Sequence, residues 1–572
     1  MSSAPWSSGA CWRASGSLRP ASGAGAARPP AHPTEFPESL LARRLTLVFA
    51  LLLLPAIAVA QATGDSTRAP VIRGIELNRQ TIFDSAEATH WSQRLVNSLH
   101  VRTLPQVIRR ELLFHVGDPY DSVLVAESTR NLRALGVFRD VQIDSVTADS
   151  GVVMRVVTRD GWTTRLGGRL RTTGSQLSIG VAFSEGNFLG TASQVGVSLS
   201  SDPVRTTFAL EAWQPRVLGS SVGVGGRWEN RSDGDVLYAE INRPFYSIHD
   251  PRGFRIDGEY RNETVDQYLD GSDVPVDSVR HLMGAFRGSI GWSLRRKTRG
   301  YLRGGVLAQV MRNDYAPTAD TAPIPRTVNA AVGGYLEWSR ARYVARTGFQ
   351  TFSLTEDIDL STRLTVGGYA APTFLGYDTA GVGLFAAFRT GGTFENGFFL
   401  VDGISDGLIT AAGVDSGGTI LNATVAWNPD SNSLLVLHWS GGVLTDPAPG
   451  YEFDLGLTSG PRAFGVHSFT GNQAFFTSAE ARQLLWPRLF GVMSLGVAAY
   501  VDYGGAWWST SPMRTGTDVG VGLRIGQSRS SRGFISRVDL SWRFANDAVG
   551  AGWVVSLGRG FAFSLNAQRP TY

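Results

Sequence analysis

From Trp162 onward the chain alternates apolar and polar residues in segments of roughly ten, broken by Gly, Asp, Asn, Ser and Pro. A period of two sends successive side chains to opposite faces of a strand. In 518–525, Val519, Val521, Leu523 and Ile525 face one way and Asp518 and Arg524 the other. In 534–544, Val538, Leu540, Trp542 and Phe544 oppose Arg537, Asp539, Ser541 and Arg543. In 489–504 one parity is almost wholly apolar, while the other ends in Tyr500 and Asp502. Such faces, sustained this long, predict a wall between lipid and a polar lumen. No stretch after residue 60 approaches the roughly 18–20 uncharged apolar residues that a membrane helix needs. A sheet in hydrocarbon must close, because open edges would leave backbone polar groups unsatisfied. The expected fold class is therefore mainly β, a transmembrane antiparallel barrel over residues 162–572. The soluble alternative is a sandwich or propeller, which fits shorter strands than these.

Composition agrees. Charged residues are 18% of the chain, below the soluble norm of about 25%. The 67 Gly, 29 Phe, 15 Trp and 15 Tyr suit β structure with tight turns and interfacial rings. Residues 1–40 are a Ser/Ala/Gly/Pro mixture without periodicity, read as a disordered leader or an upstream mis-start. Residues 41–60 read as a signal peptide: Arg43-Arg44, a short apolar run, then Ala58-Val59-Ala60 at the cleavage site. Cleavage removes Cys11, the one cysteine, and with it disulfide or thiolate chemistry. It also removes five of the 53 basic and two of the 49 acidic residues, leaving a mature charge near +1. Nothing in that balance supports a nucleic-acid partner.

Residues 67–160 read as a small soluble domain. Residues 71–77 alternate as a strand, and an insertion, 78–103, follows whose middle (86–99) has helical character. A helix is expected over 104–114, with Thr103 as cap, Pro105 in its first turn, and Val107, Ile108, Leu112 and Phe114 inward. Asp121 caps a second helix over 122–135, with Val123, Leu124, Leu132 and Leu135 inward and Gly136 as its stop. Two strands, 137–146 and 151–158, complete the order β-α-α-β-β.

Near the C-terminus, a Gly/Pro-flanked loop carrying Arg462 precedes two alternating segments. By parity Glu480 and Arg482 share a face, and Asp502 lies on the polar face of the next strand. If the loop folds inward, Arg462 meets two carboxylates, and its fork of five donors can bridge both. This predicts an ion-pair lock. Catalytic patterns are weak. Residues 403–407 match G-x-S-x-G around Ser405, but strand-like flanks rather than a strand–turn–helix make them a turn. His249, His281, His438 and His467 are dispersed without metal spacing. No cofactor or metal is indicated, and the chain reads as no enzyme.

The run VIRRELLFHVGDPYDSVLVAESTRNLRALGVFRDVQI (107–143) resembles the POTRA (polypeptide-transport-associated) domain through Gly117, Asn131-Leu132-Arg133 and Gly136. With the barrel, the whole is similar to the bacterial surface antigen family, that of the BamA/TamA outer-membrane assembly factors. The loop's V-R-G-F/Y is here Pro461-Arg462-Ala463-Phe464, E-x-R is Glu480-Ala481-Arg482, and D-x-G is Asp502-Tyr503-Gly504. The Arg-Pro-Phe-Tyr run at 243–246 also has the family's look. Ala463 stands where the family has Gly, so a positive φ there would be strained.

The resemblance implies about 16 strands, with five after the loop and eleven to thirteen read before it. It implies a bacterial outer-membrane location with the POTRA domain in the periplasm. It further implies an insertion or translocation factor that captures unfolded outer-membrane or secreted proteins. Insertion would be assisted at a barrel seam between 162–171 and 553–565, beside the lipid bilayer. Gly558 and Gly560 near that seam would weaken closure. Periplasmic lipoproteins or chaperones are further partners. The alternative is a passive pore or structural surface protein without transport activity, which the tail 566–572 with Pro570 keeps open. A barrel hydrolase built from Ser, His and Asp trails both.

Overall fold

A computed structural model describes residues 69–563, apart from 85–87, 89, 149–150, 174–175, 203, 270–271, 273, 320–323, 325, 457–458 and 534. The expected leader and signal peptide with Cys11, and the tail 566–572 with Pro570, lie outside the described residues. So do the side chains of Arg169, Leu170 and Arg171.

The first domain contains β1 (Ile72–Gln80), α1 (Trp91–Leu99), α2 (Pro105–Glu111), α3 (Ser122–Ala134), β2 (Phe138–Ala148) and β3 (Gly151–Asp160). The sheet order is β1-β3-β2, with β1 parallel and β2 antiparallel to β3. Alternation on β3 sends Val152, Met154 and Val156 into a core with Val107, Ile108, Leu112, Phe114 and Leu132 from the helical layer. Each such side chain contributes about 1.5–3 kcal/mol by leaving water, which is what holds so small a sheet together.

Local signals explain the ends. Pro105 occupies the first turn of α2, Asp121 accepts the Val123 N–H at 2.7 Å, and Gly136 turns the chain out of α3 at φ +63°. Three expectations are corrected. The residue preceding α2 is Leu104, and Thr103 instead gives its N–H and hydroxyl to Asp160. That helix ends at Glu111, because Leu112 is already extended. On α3 it is Val125, not Val123 or Leu124, that packs against the core with Leu132 and Leu135.

Among the described residues the rest is chiefly one antiparallel sheet of twenty strands whose order closes on itself, Gly552–Arg559 neighbouring Thr164–Thr173. The expectation of about 16 is therefore corrected. Five strands follow the Arg462 loop, but fifteen precede it. The undercount has a physical cause. Turns as short as 298–299 and 395–396 leave almost no polar sequence to mark a boundary. The polar stretches at 262–279 and 313–327 are in part ladder, since 262–267, 277–279 and 313–317 belong to strands. Arg252–Gln267 pairs to its last residue with the 21-residue strand Asp277–Lys297. In the other direction, the long strand read over 489–504 splits at a turn, where Phe490 and Gly491 adopt positive φ.

The wall is inverted relative to a soluble protein. On Gly516–Gln527, Val519, Val521 and Leu523 are exposed while Asp518 and Arg524 are buried. On Met493–Trp507, Val497, Val501 and Tyr503 are exposed while Tyr500 and Asp502 are buried. Apolar surface of this extent needs an apolar neighbour.

Three segments fold into the interior. The first is the loop between Ser433–Thr445 and Gln473–Leu489. It carries its own hairpin, Phe453–Leu455 with Phe469–Gly471, packed with Phe464 and Phe476 in an apolar cluster. The second is a hairpin, Tyr343–Arg346 with Glu356–Asp359, inserted between neighbouring wall strands. At its tip the Phe349 carbonyl accepts from Arg482 at 3.2 Å and its ring meets Phe398 at 5.1 Å. The third is the chain beyond Arg559. The last strand was expected to reach residue 565, but Gly560 at φ +64° turns the chain inward. Phe561 then lies under the Arg482 guanidinium, 3.7 Å away, and Phe563 stacks on His438 at 4.0 Å.

Candidate functional site: an ion-paired loop in the lumen

Each acidic or basic group of the site sits on the polar parity of its strand, so the pleat alone aims them all at one region. Gln473–Leu489 supplies Glu480 and Arg482, and Met493–Trp507 supplies Asp502. Gly516–Gln527 supplies Asp518 and Arg524, and Ser536–Arg543 supplies Arg537 and Asp539. Arg462 enters from the loop. Its Nε and Nη2 donate to the two oxygens of Asp502 at 2.6 and 3.1 Å, and its Nη1 donates to Glu480 at 2.9 Å. Its guanidinium plane lies 3.5 Å over the Tyr500 ring.

Glu480 is the hub. Besides Arg462 it takes hydrogen bonds from Arg482 and Arg524. Arg524 passes on to Asp539 at 2.6 Å, which also pairs with Arg537 at 3.2 Å and lies 3.5 Å from Arg462. Four guanidiniums thus face Glu480, Asp502 and Asp539, Asp518 stands across the ladder from Asp502, and all eight groups are buried. Opposite charges joined by directed hydrogen bonds are the condition under which so many ions can leave water.

The tetrapeptide around Arg462 is held along its length. The Ala463 N–H donates to Asp518 at 3.1 Å, and the Ala463 carbonyl accepts from Arg543 at 3.2 Å. Phe464 is fully buried against Phe469, ring centroids 5.1 Å apart. The strain considered for Ala463 does not arise. Among the described residues, positive φ in this loop falls on Asp446, Gly450, Gly456, Gly460 and His467, not on Ala463. Gly504 lies where an added Cβ would come within 2.5 Å of the Phe475 carbonyl and 2.8 Å of the Phe476 Cα. It therefore permits the close approach of two wall strands under the loop.

Gly558 and Gly560, read as near the seam, lie on and just past the last strand, Gly552–Arg559. Gly558 pairs with Arg537 on the preceding strand, and an added Cβ would come 2.5 Å from the Arg537 Nε. Its bareness gives that guanidinium room. Gly560 lies past the strand end. Towards the first strand it is Arg559 that reaches Gly167.

The histidines stay apart, each with its own partner. His467 bonds Asp454 at 2.7 Å and stacks on Tyr268, His438 bonds Thr424, His281 bonds Asn313, and the His249 carbonyl accepts from Arg296. Among the described residues no group of three His, Cys, Asp or Glu could hold a metal ion. Ser405, expected in a turn, lies inside the strand Gly397–Thr410 with its hydroxyl 2.9 Å from that of Thr419. Ladder pairing on both sides explains the difference.

Sequence parity had put Asp518, Arg524, Arg537 and Asp539 on the lumen face but could not join them to the Arg462 group. A second set left no sequence signal. Glu127 on α3 accepts the Ile248 N–H at 2.8 Å and the Ser247 hydroxyl at 3.1 Å. Glu111 takes two bonds of 2.8 Å from Arg216, and Arg133 bonds Asp357 at 3.0 Å. These carboxylate and guanidinium contacts seat the small domain on the wall's turns and, at Asp357, on the inserted hairpin. The Arg-Pro-Phe-Tyr run at 243–246 belongs here. The Tyr246 ring lies under Arg216 and its carbonyl accepts from Asn131.

The class so defined is an antiparallel barrel with an ion-paired inward loop and a small αβ domain at one end. In sequence the chain is 28% identical over 141 residues to the outer membrane protein assembly factor BamA of Neorickettsia risticii (strain Illinois). That match covers 23% of this chain and 19% of the relative's length. The chain resembles the BamA/TamA type of surface antigen. No family model matches it. Among solved structures, BamA from Haemophilus ducreyi lacking POTRA domains 1–3 is 12% identical at a TM-score of 0.37, covering 87% of this chain and 85% of that one. CdiB from Escherichia coli is 12% identical at 0.42, covering 91% and 97%. Scores this low decide nothing about activity.

Proposed function

We propose that the chain is an outer-membrane insertion or translocation factor, not an enzyme, with its small domain on the periplasmic side. That domain, read as a POTRA unit, captures unfolded outer-membrane or secreted chains. The junction between Gly552–Arg559 and Thr164–Thr173 then assists their entry into the bilayer. The observation that carries this is the occupied lumen. A loop clamped by Arg462, an inserted hairpin and the chain beyond Arg559 all fill the interior, against which a passive solute pore has no account. Two further observations support it. The strand β2 ends the three-stranded sheet with no neighbour on its outer side among the described residues, the edge to which an extended chain adds by main-chain hydrogen bonds. The sequence likeness to an assembly factor points the same way.

Depletion in cells tests the reading. Other outer-membrane barrels or a surface protein should fall in abundance. Normal levels with altered small-solute uptake would favour the pore instead.

A further inference from the structure

The insertion ahead of α2 buries Ile82 and Phe83 but lies outside the small domain's main apolar cluster, and it forms a helix with a bare apolar stripe. Trp91, Leu95 and Leu99 lie at i, i+4 and i+8 on α1, so they share one face. They are 72%, 47% and 68% exposed, and Val101 just beyond is exposed too. The opposite side is fastened: Asn97 exchanges two hydrogen bonds with the Phe83 backbone, at 3.2 and 2.8 Å. The helix therefore cannot roll to hide its apolar residues without losing these bonds.

The position of α1 is equally constrained. His100 bonds Asp160 at 2.8 Å, immediately before the first wall strand. The Val101 carbonyl accepts from Asn187, and the Leu104 N–H donates to the Gly190 carbonyl at 2.9 Å. Phe83 lies under the guanidinium of Arg529, whose Nε donates to the Gly491 carbonyl. The wall turns beside α1 carry exposed Phe188, Leu189 and Phe490. Apolar surface thus continues from the wall over its rim onto the helix.

We infer that α1 is a membrane-surface helix whose Trp91, Leu95, Leu99 and Val101 enter the headgroup layer of the leaflet on the small-domain side, beside the junction of first and last strands. The occupant is the lipid surface because the stripe extends the wall that meets hydrocarbon. An amphipathic helix with Trp and Leu on one face is what binds such a boundary. The inference rests on the reading that the barrel spans a membrane.

Single-cysteine variants of the full chain, in a Cys11→Ser background, test it. Leu95→Cys, Leu99→Cys, the opposite-face control Gln93→Cys and the wall control Leu336→Cys are labelled with bimane. They are then reconstituted in phosphatidylethanolamine–phosphatidylglycerol vesicles. The expected result is quenching at 95, 99 and 336 by doxyl-labelled lipid with loss of quenching by iodide, and the reverse at 93. Iodide quenching at 95 and 99 while 336 stays lipid-quenched overturns the inference and leaves the membrane reading standing. Failure of lipid to quench 336 removes both. Shielding of 95 and 99 from lipid and iodide alike, with cross-linking between copies or to another protein, identifies a protein contact and overturns the lipid assignment.

Discussion

Arg462 holds Asp502 with two parallel hydrogen bonds, Nε at 2.6 Å and Nη2 at 3.1 Å, across 40 residues of chain. The loop is thereby pinned to the wall by a fork that no lysine could reproduce. Removing it strands one carboxylate more than the other. Glu480 keeps Arg482 and Arg524, whereas Asp502 keeps the Ser478 hydroxyl at 2.6 Å. Arg462→Ala should cost about 3–5 kcal/mol, the usual penalty for orphaning a buried charge. Arg462→Ala with Asp502→Asn should recover part of that loss. The temperature at which the folded band gives way to the unfolded band on unboiled gels measures both, and unchanged mobility for Arg462→Ala would sink the lock.

Glu480 should matter more than Asp502. It meets three guanidiniums, so Glu480→Gln leaves a surplus of buried positive charge, while Asp502→Asn affects chiefly Arg462. Guanidinium unfolding midpoints of the two variants are expected to fall in that order. A larger fall for Asp502→Asn would place the hub elsewhere.

Two glycines separate backbone from side-chain crowding. Gly504→Ala would press a methyl group on the Phe475 carbonyl and the Phe476 Cα, which cannot move without the sheet, and should cost about 1–3 kcal/mol. Gly558→Ala would first meet the movable guanidinium of Arg537 and should cost less. The same melting assay orders them. If Gly558→Ala proves the worse, the last strand's junction is strained in a way these contacts do not show.

Seating of the small domain should depend on pH through Glu127. Burial between α3 and the turn at Ser247–Ile248 is the largest influence on this carboxyl and pushes its pKa up, the two hydrogen bonds it accepts only partly opposing this. A carboxyl raised in the folded state contributes stability below the ordinary carboxylate value, and loses it as pH rises through the folded value. Glu127→Gln keeps the neutral shape. It should unfold at a higher temperature than the parent at pH 8, and the two should converge near about pH 4. A parent that melts higher than the variant at pH 8 would show that the charged form is the one bound.

Much of the site's direction was readable, because the pleat is local: parity alone aimed Glu480, Arg482, Asp502, Arg524 and Asp539 at the lumen. Which of them touch was not readable. Glu480 faces Tyr500 in the ladder and Asp502 faces Asp518, so the contacts with Arg462 come from a loop no ladder specifies. The small domain's core helix α2 was legible through Pro105 and its apolar face. The role of Thr103 was not, since its partner Asp160 lies 57 residues away.

By itself the sequence determined an alternating wall, a compact αβ unit ahead of it and a loop bearing one arginine before two acidic strands. These follow from side-chain periodicity, caps and turn residues, which act over a few positions. Tertiary structure alone decided that twenty strands close the ring, that Gly560 turns the chain inward beneath Arg482, and that Gly558 makes room for Arg537. It also decided that four arginines and four acids share one buried cluster. Ring size and charge pairing depend on how distant segments fill a common volume and neutralise one another, and no local pattern encodes that.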